Sequence, residues 1–447
     1  MNTDLTQGKI QKMLLTFALP FLGAYLLQAL YGAADLFVVG KYNTASAIAA
    51  VNIGSQTMQI ITSFVIGCSM GCTVLIGRYI GEKNEQGCGK ALGSTVILFA
   101  IFALILTPIM WILAKPLAQL MQTPAQAFAE TVHYLSICAL GVPFIVIFNV
   151  TAAIFRGVGD SKTPMLIVAV ACAVNIAGDF ILTGALGMGV IGVAIATASA
   201  QAISSIVGVL IMRKRKLPFA VRKSDIRLHR QESMSIIKVG LPIAMQDTLI
   251  NISFIVLTVI ANERGLIASS AVGVVEKLIM FMFLVPSSML SAISAFTAQN
   301  VGAGKPERAV AAVKFGIGIT ALFGAAMCAI SWIAPGLLTS IFSKEQAVIL
   351  EANSYLKTYS IDCILVAVTF CLNGYLCGCE KSLVTFAHNT ISIFLVRIPA
   401  AYFLSKAFPN SMLPMGLASP MGSLLSICIL VGYFAFQKRK SRKQQEL

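Results

Sequence analysis

The sequence predicts an all-α integral membrane protein: twelve transmembrane helices in two six-helix bundles related by a parallel internal repeat. Three observations predict it. Hydrophobic residues fill 57% of the 447 positions and charged residues only 11%, with a mean hydropathy of +0.85, whereas a soluble domain carries about 25% charged residues. The apolar residues fall into twelve runs of about 20 residues, the length that crosses a bilayer. Landmarks in the first half recur in the second at a constant spacing.

The spans follow in order. The N-terminus (MNTDLTQGKIQK) is polar and short. The first apolar run, 13–39, is too long for a signal-peptide h-region, so this helix is itself the expected insertion signal. It holds Pro20 and Asp35. The second, 46–78, carries Gly67 and Gly71 one turn apart, a small-xxx-small pair suited to helix packing. The third, 90–113, follows the polar loop GRYIGEKNEQGCGKAL, and the fourth, 125–153, leads into FRGVGDSK. The fifth, 163–184, holds Asn175 and Asp179. Gly187, Gly189 and Gly192 then match GxGxxG, but no strand precedes them, so the dinucleotide reading fails its structural test. They fit a tight extracellular turn into the sixth span, 190–212. After a basic segment come 235–260, with Pro242, Asp247 and Asn251, and 268–297, with Glu276 and Lys277. The last four are 311–338, 350–376 with Asp362, 385–405 with Arg397, and 415–436.

An even number of spans puts both termini on one side. About three quarters of the Lys and Arg fall on that side, which the positive-inside rule makes cytoplasmic. The expected location is a membrane with both termini on its cytoplasmic side. The net charge of +15 comes mainly from RKRKLPFAVRKSDIRLHR (213–230) and QKRKSRK (437–443). Both read as cytoplasmic anchors. No basic face is interleaved with stacking aromatics, so nucleic acid is not an expected partner. Membrane lipid and an organic cation are, and a monomer is expected.

The duplication sets the domains. FALP, ending at Pro20, recurs as VGLP, ending at Pro242, an offset of 222. GRYIGEKNEQGCGKAL (77–92) pairs with AQNVGAGKPERAVAAV (298–313), and FRGVGDSK around Gly157 pairs with LCGCEKS around Gly378, both at an offset of 221. Six spans per repeat is an even number, so the halves insert in the same direction, as in parallel-repeat transporters. The expected organisation is an N-terminal lobe at 1–212, a basic cytoplasmic linker at 213–234 and a C-terminal lobe at 235–447. A substrate would bind in the cleft between the lobes.

Asp35 and Asp179 carry the functional argument. A charged side chain at bilayer depth costs roughly 2.5–3.5 kcal/mol on insertion scales and is usually retained for ion or substrate handling. Asn175 precedes Asp179 by four residues, which puts both on one helix face, and Thr197 adds a hydroxyl near mid-depth. Two carboxylates in one low-dielectric pocket repel each other. A proton or a Na⁺ relieves the repulsion, and oxygen ligands suit a hard cation. The alternative is an acid held by a hydrogen-bonded partner in a polar crevice, with no cargo. By the offset of 221 the counterparts of Asn175 and Asp179 are Val396 and Ala400, beside Arg397, so the second half lacks this acidic site.

Other buried acids are Asp247, Glu276 and Asp362. Each reads either as a structural partner or as the lining of a negative cavity for an organic cation. Asn251, Met58 and Met280 are further candidates for that cavity, since flexible thioethers suit a promiscuous pocket. The 11 cysteines lie mostly in apolar runs with no zinc spacing and read as packing residues. The three histidines, His133, His229 and His388, form no catalytic pattern, and no paired DxxxD cluster is present. An enzyme is not expected, nor any cofactor beyond H⁺ or Na⁺ as coupling ion.

These motifs together resemble the multidrug and toxic compound extrusion (MATE) transporters over the whole chain. The likeness rests on the proline-then-Asp35 first helix, the two matched loops, FRGVGDSKTPM, and GMGVIGVAIAT opening the sixth span. Asp35, Asn175, Asp179 and Thr197 together look like the DinF-like bacterial branch, in which these positions are linked to the coupling cation. The resemblance implies a V-shaped pair of six-helix bundles and a cation-coupled antiporter exporting cationic amphipathic compounds by alternating access. Other branches carry acids on the seventh and tenth helices, where this chain has Asn251 and, about one turn away, Asp362. A second reading is a flippase for a lipid-linked or lipid-like substrate. An anionic cargo would need a basic cavity, and only Lys277 and Arg397 are available.

Overall fold

A computed structural model of the chain describes residues 4–215 and 217–445, with side chains through residue 440. Lys216 of the basic linker, and the tail side chains after Lys440, lie outside the described residues. Among the described residues there is helix and no strand. Ten helices are long and apolar enough to cross a membrane, and two bent pairs bring the number to twelve. In chain order they are α1 (Ile10–Tyr42), α2 (Ala45–Gly81), α3 (Glu85–Leu120), α4 (Ala125–Leu140 and Val142–Gly157), α5 (Lys162–Ala185) and α6 (Gly189–Lys214). Then come α7 (Arg230–Asn262), α8 (Leu266–Gly302), α9 (Pro306–Ile333), α10 (Gln346–Tyr359 and Asp362–Gly378), α11 (Ser382–Ala407) and α12 (Leu413–Lys440).

Each expected span overlies one of these helices. The ninth ends early, at Ile333 rather than 338. Pro335 disfavours a helical residue before it, and Ala334 sits at φ −140° and ψ 58° before a five-residue helix, Pro335–Thr339. Several helices outrun the hydrocarbon core. At 1.5 Å per residue the 37 residues of α2 extend about 55 Å.

Two kinds of irregularity occur once in each half. α4 is bent by 48° at Gly141 and α10 by 47° at Ser360–Ile361. In α4 the break coincides with Pro143, which has no N–H for the helical ladder. In α10 the Ser360 hydroxyl donates to the Lys357 carbonyl at 2.7 Å, a side-chain bond that competes with the ladder. α5 and α11 each contain a stretch of π-helix, Asp179–Ala185 and Ile393–Arg397.

The chain divides into two compact units. One runs to Ala244 and includes Ala298–Pro306; the other comprises Met245–Thr297 and the chain from Glu307 onward. Thus the start of α7 and the end of α8 belong to the first unit.

Inside the first unit, α2 meets the start of α7 backbone to backbone. A methyl at Gly71 would strike the Ile236 carbonyl, one at Gly240 would strike the Cys68 carbonyl, and one at Gly67 would meet Ala244. The small-xxx-small spacing therefore acts in packing, as its residues predict. The two matched loops also meet within this unit. Gly81 lies against the Gln299 carbonyl, and Gly302 against the Arg78 carbonyl. The repeat maps Arg78 onto Gln299 and Gly81 onto Gly302, so one contact is made twice with roles exchanged. Buried Leu5 is tied to the same place. Its N–H donates to Gln299 Oε1 at 3.3 Å and its carbonyl accepts from Asn300 Nδ2 at 3.1 Å. Gln299 Nε2 donates onward to the Gly157 carbonyl at 2.8 Å.

Candidate functional site

α1, α5 and α6 pack together in the first unit. Asp35 comes from α1, Asn175 and Asp179 from α5, and Thr197 from α6. Asp35, Asn175 and Asp179 are 3%, 1% and 0% exposed, and Thr197 is half-buried. The Asp35 carboxyl lies within hydrogen-bonding reach of the Asp179, Asn175 and Thr197 side chains. Asn175 Nδ2 donates to Thr197 Oγ1 at 3.4 Å. The π-helical stretch begins at Asp179 itself, so the irregular turn sits where the second carboxylate enters the cluster. Such turns occur often at functional sites. Tyr31, one turn before Asp35, and Tyr134 on α4 are within electrostatic reach of the Asp35 carboxyl.

The cluster is short of donors. Asp35 Oδ1, Asn175 Oδ1 and both carboxylate oxygens of Asp179 are buried with no hydrogen-bond partner. A buried polar atom left unsatisfied costs on the order of 1–3 kcal/mol, and more when charged. Four buried acceptor oxygens without a hydrogen bond are an arrangement that a proton or a small hard cation would satisfy. The four residues singled out from the sequence are thus brought together.

The other candidates are dispersed. Met58 is 8% exposed and packs into the apolar core of the first unit. Met280 is 51% exposed. Asn251 Nδ2 donates to the Asp247 carbonyl of its own helix at 2.8 Å. Glu276 Oε1 accepts from Thr258 Oγ1 at 2.9 Å. Asp362 is 4% exposed, leaves Oδ1 unpartnered, and begins the second segment of α10 at its bend.

Asp362 also lines a cavity of about 90 Å³ inside the second unit, with Phe254, Phe283, Phe370, Arg397 and Ser419 among its walls. The Arg397 guanidinium lies over the Phe254 ring at 4.5 Å and donates from Nη2 to the Tyr359 hydroxyl at 3.3 Å. Glu276 and Asp362 are both within electrostatic reach of it. Sequence reading noted Arg397 as an in-span cation but missed Phe254, Thr258 and Tyr359. The sequence signal was slight: Tyr359 lies one turn before Asp362 and Phe254 two turns after Asp247 on their own spans. The GxGxxG stretch begins in the turn between α5 and α6, with Gly187 at φ +64° and Gly189 at φ +59°, and its last glycine, Gly192, lies in the first turn of α6 against Thr183.

The profile of the family described as MatE matches residues 20–181 and 242–403, so the two matched segments begin at Pro20 and Pro242 of the duplication. The probable multidrug resistance protein YoeA of Bacillus subtilis is 25% identical over 95% of this chain and 94% of its own length. The probable multidrug resistance protein NorM of Thermotoga maritima is 27% identical over 91% of this chain and 88% of its own. Among solved structures, an outward-facing multidrug resistance MATE transporter superposes with a TM-score of 0.90 at 21% identity, covering 99% of both chains. A transporter from Pyrococcus furiosus superposes with a TM-score of 0.88 at 21% identity, over 98% of this chain and 97% of its own. With its duplicated halves, its twelve helices and its family profile in register with both halves, the chain belongs to the MATE family and is a multi-pass membrane transporter, not an enzyme.

Proposed function

We propose that the protein is a cation-coupled antiporter that exports cationic, amphipathic organic compounds by alternating access. H⁺ or Na⁺ enters from outside and binds at Asp35 and Asp179, with Asn175 and Thr197 assisting. The observation that carries this reading is the set of four buried, donorless oxygens on Asp35, Asn175 and Asp179. For Na⁺ these oxygens, with the Thr197 hydroxyl, are the ligands; for H⁺ one carboxyl takes the proton and donates to its neighbour. Binding removes one of the pair's two negative charges and relieves their repulsion, and that relief favours one conformation of the halves over the other.

The charge balance constrains the exchange. One ion inward for one monovalent organic cation outward moves no net charge and draws only on the ion's concentration gradient. A second ion makes the cycle electrogenic and adds about 2.3 kcal/mol per 100 mV, roughly a fifty-fold accumulation.

The relatives' names, multidrug resistance and multidrug export proteins, support drug efflux rather than a flippase. Glu276 and Asp362 are the candidates to meet the substrate's positive charge, with Asn251, Met58 and Met280 as weaker contributors. Residues 1–212 and 235–447 are the proposed moving lobes, joined by 213–234. The protein is placed as a monomer in a bacterial cytoplasmic membrane with both termini inside. Ethidium efflux from cells lacking their own pumps tests the reading. The parent should lower cellular ethidium and Asp35→Asn should not, at equal membrane abundance. Full efflux by Asp35→Asn refutes the site.

A further inference from the structure

The two halves share a frame and differ in how its charges are balanced. α5 and α11 are repeat mates, each with a π-helical stretch at or beside its charged residue. α4 and α10 are mates, each bent near its middle. In the first half, Asp35 and Asp179 share a pocket with neutral Asn175 and Thr197. In the second half, the Arg397 guanidinium lines one cavity with Asp362 and lies within electrostatic reach of Glu276. The repeat offset of 221 maps Arg397 onto Ile176, the residue after Asn175. Arg397 therefore sits at the level of the frame that holds Asn175 in the first half.

This guanidinium is held in place. It stacks on Phe254 at 4.5 Å and donates to the hydroxyl of buried Tyr359 at 3.3 Å. Glu276 is separately held by the Thr258 hydroxyl at 2.9 Å. Arginine keeps its charge at all physiological pH values and stacks well on aromatic faces, so it is a cation that cannot leave.

We infer that Arg397 is a tethered counter-cation: it takes in the second half the role that a mobile coupling ion takes in the first, so that only the first half loads an ion. The inference rests on the proposed coupling role of Asp35 and Asp179. Its physical basis is exclusion. A fixed unit positive charge lining the same cavity as Asp362 repels a second small cation and weakens its binding there. Arg397 thus sets how many ions each cycle consumes, by occupying a position that would otherwise be an ion site.

The test counts ions. Saturable uptake per purified carrier is measured with radioactive sodium and, in parallel, as protons taken up after a pH jump. Arg397→Gln should double the uptake, and Arg397→Lys, which keeps the charge, should leave it at the parent value. In an Asp35→Asn background, which should have none, Arg397→Gln should restore one parent-sized portion. A cooperatively melting Arg397→Gln carrier with parental uptake overturns the inference. If Asp35→Asn keeps the parent's uptake, the first-half assignment is what fails, and the Gln-versus-Lys comparison still decides the role of Arg397. Should Arg397→Gln not fold, Arg397→Met, which keeps an aliphatic stem against Phe254, takes its place with the same expected outcome.

Discussion

Replacing Asp35 with Asn should disconnect the carrier's stability from its coupling ion. In the parent, Asp35 and Asp179 are buried and within hydrogen-bonding reach of each other. At about 4 Å and an effective dielectric of 20, two full negative charges repel by about 4 kcal/mol. An ion that enters between them removes most of that repulsion and also pairs the orphaned oxygens of Asp179 and Asn175. By mass action, an ion at a hundred times its dissociation constant stabilises the folded carrier by about 2.7 kcal/mol. For a chain of 447 residues this raises the melting temperature by on the order of 3 °C. Asp35→Asn removes one charge, supplies an amide donor and keeps the shape. Its resting stability should equal or exceed the parent's, and its melting temperature should no longer respond to the ion. The assay is thermal melting of purified protein in detergent, titrated with NaCl against choline chloride and, separately, with pH. A full parental shift in the mutant would refute the reasoning, because the ion would then be binding elsewhere.

Three further outcomes follow from the packing. Gly71→Leu should lose about 3 kcal/mol or more, or fail to accumulate in the membrane, because its side chain meets the Ile236 carbonyl; a parental melting temperature would contradict the close contact. Gln299→Ala strips partners from the Leu5 N–H and the Gly157 carbonyl, and should lower stability by about 2–4 kcal/mol and speed proteolysis at the N-terminus. Asp160 accepts from the Thr163 N–H at 3.0 Å, the Thr163 hydroxyl at 2.6 Å and Arg215 at 2.7 Å. Asp160→Ala should cost about 1–3 kcal/mol in thermal melting, with the Arg215 share diminishing at high salt because that side chain is half exposed.

Much of this molecule is legible in its sequence because the bilayer constrains it so strongly. Apolar length fixes the spans. The acids at 35 and 179 stand out because an unexplained charge in hydrocarbon is expensive. Asn175 and Thr197 were found by helical spacing and depth, and the fold brings them to the same carboxylates. Other features left no such trace. The bend in α10 depends on a serine hydroxyl turning back to its own helix, which composition does not reveal. The π-helical stretches carry no common residue signal: Asp179–Ala185 contains no proline, whereas Pro399 lies just past Ile393–Arg397. Phe254 and Tyr359 look like ordinary apolar-run residues until Arg397 is seen lying between them. Met58, singled out for its thioether, lies in the apolar core of the first unit, a placement its chemistry alone does not reveal.

The central claim is that ion entry at Asp35 and Asp179 drives export. The most direct measurement is efflux of ethidium from proteoliposomes containing right-side-sorted carrier, under an imposed Na⁺ gradient or an imposed pH gradient applied separately. The account predicts gradient-driven efflux by the parent under at least one of the two, and none by Asp35→Asn or Asp179→Asn under either. Gradient-driven efflux at the parental rate by either mutant would contradict it.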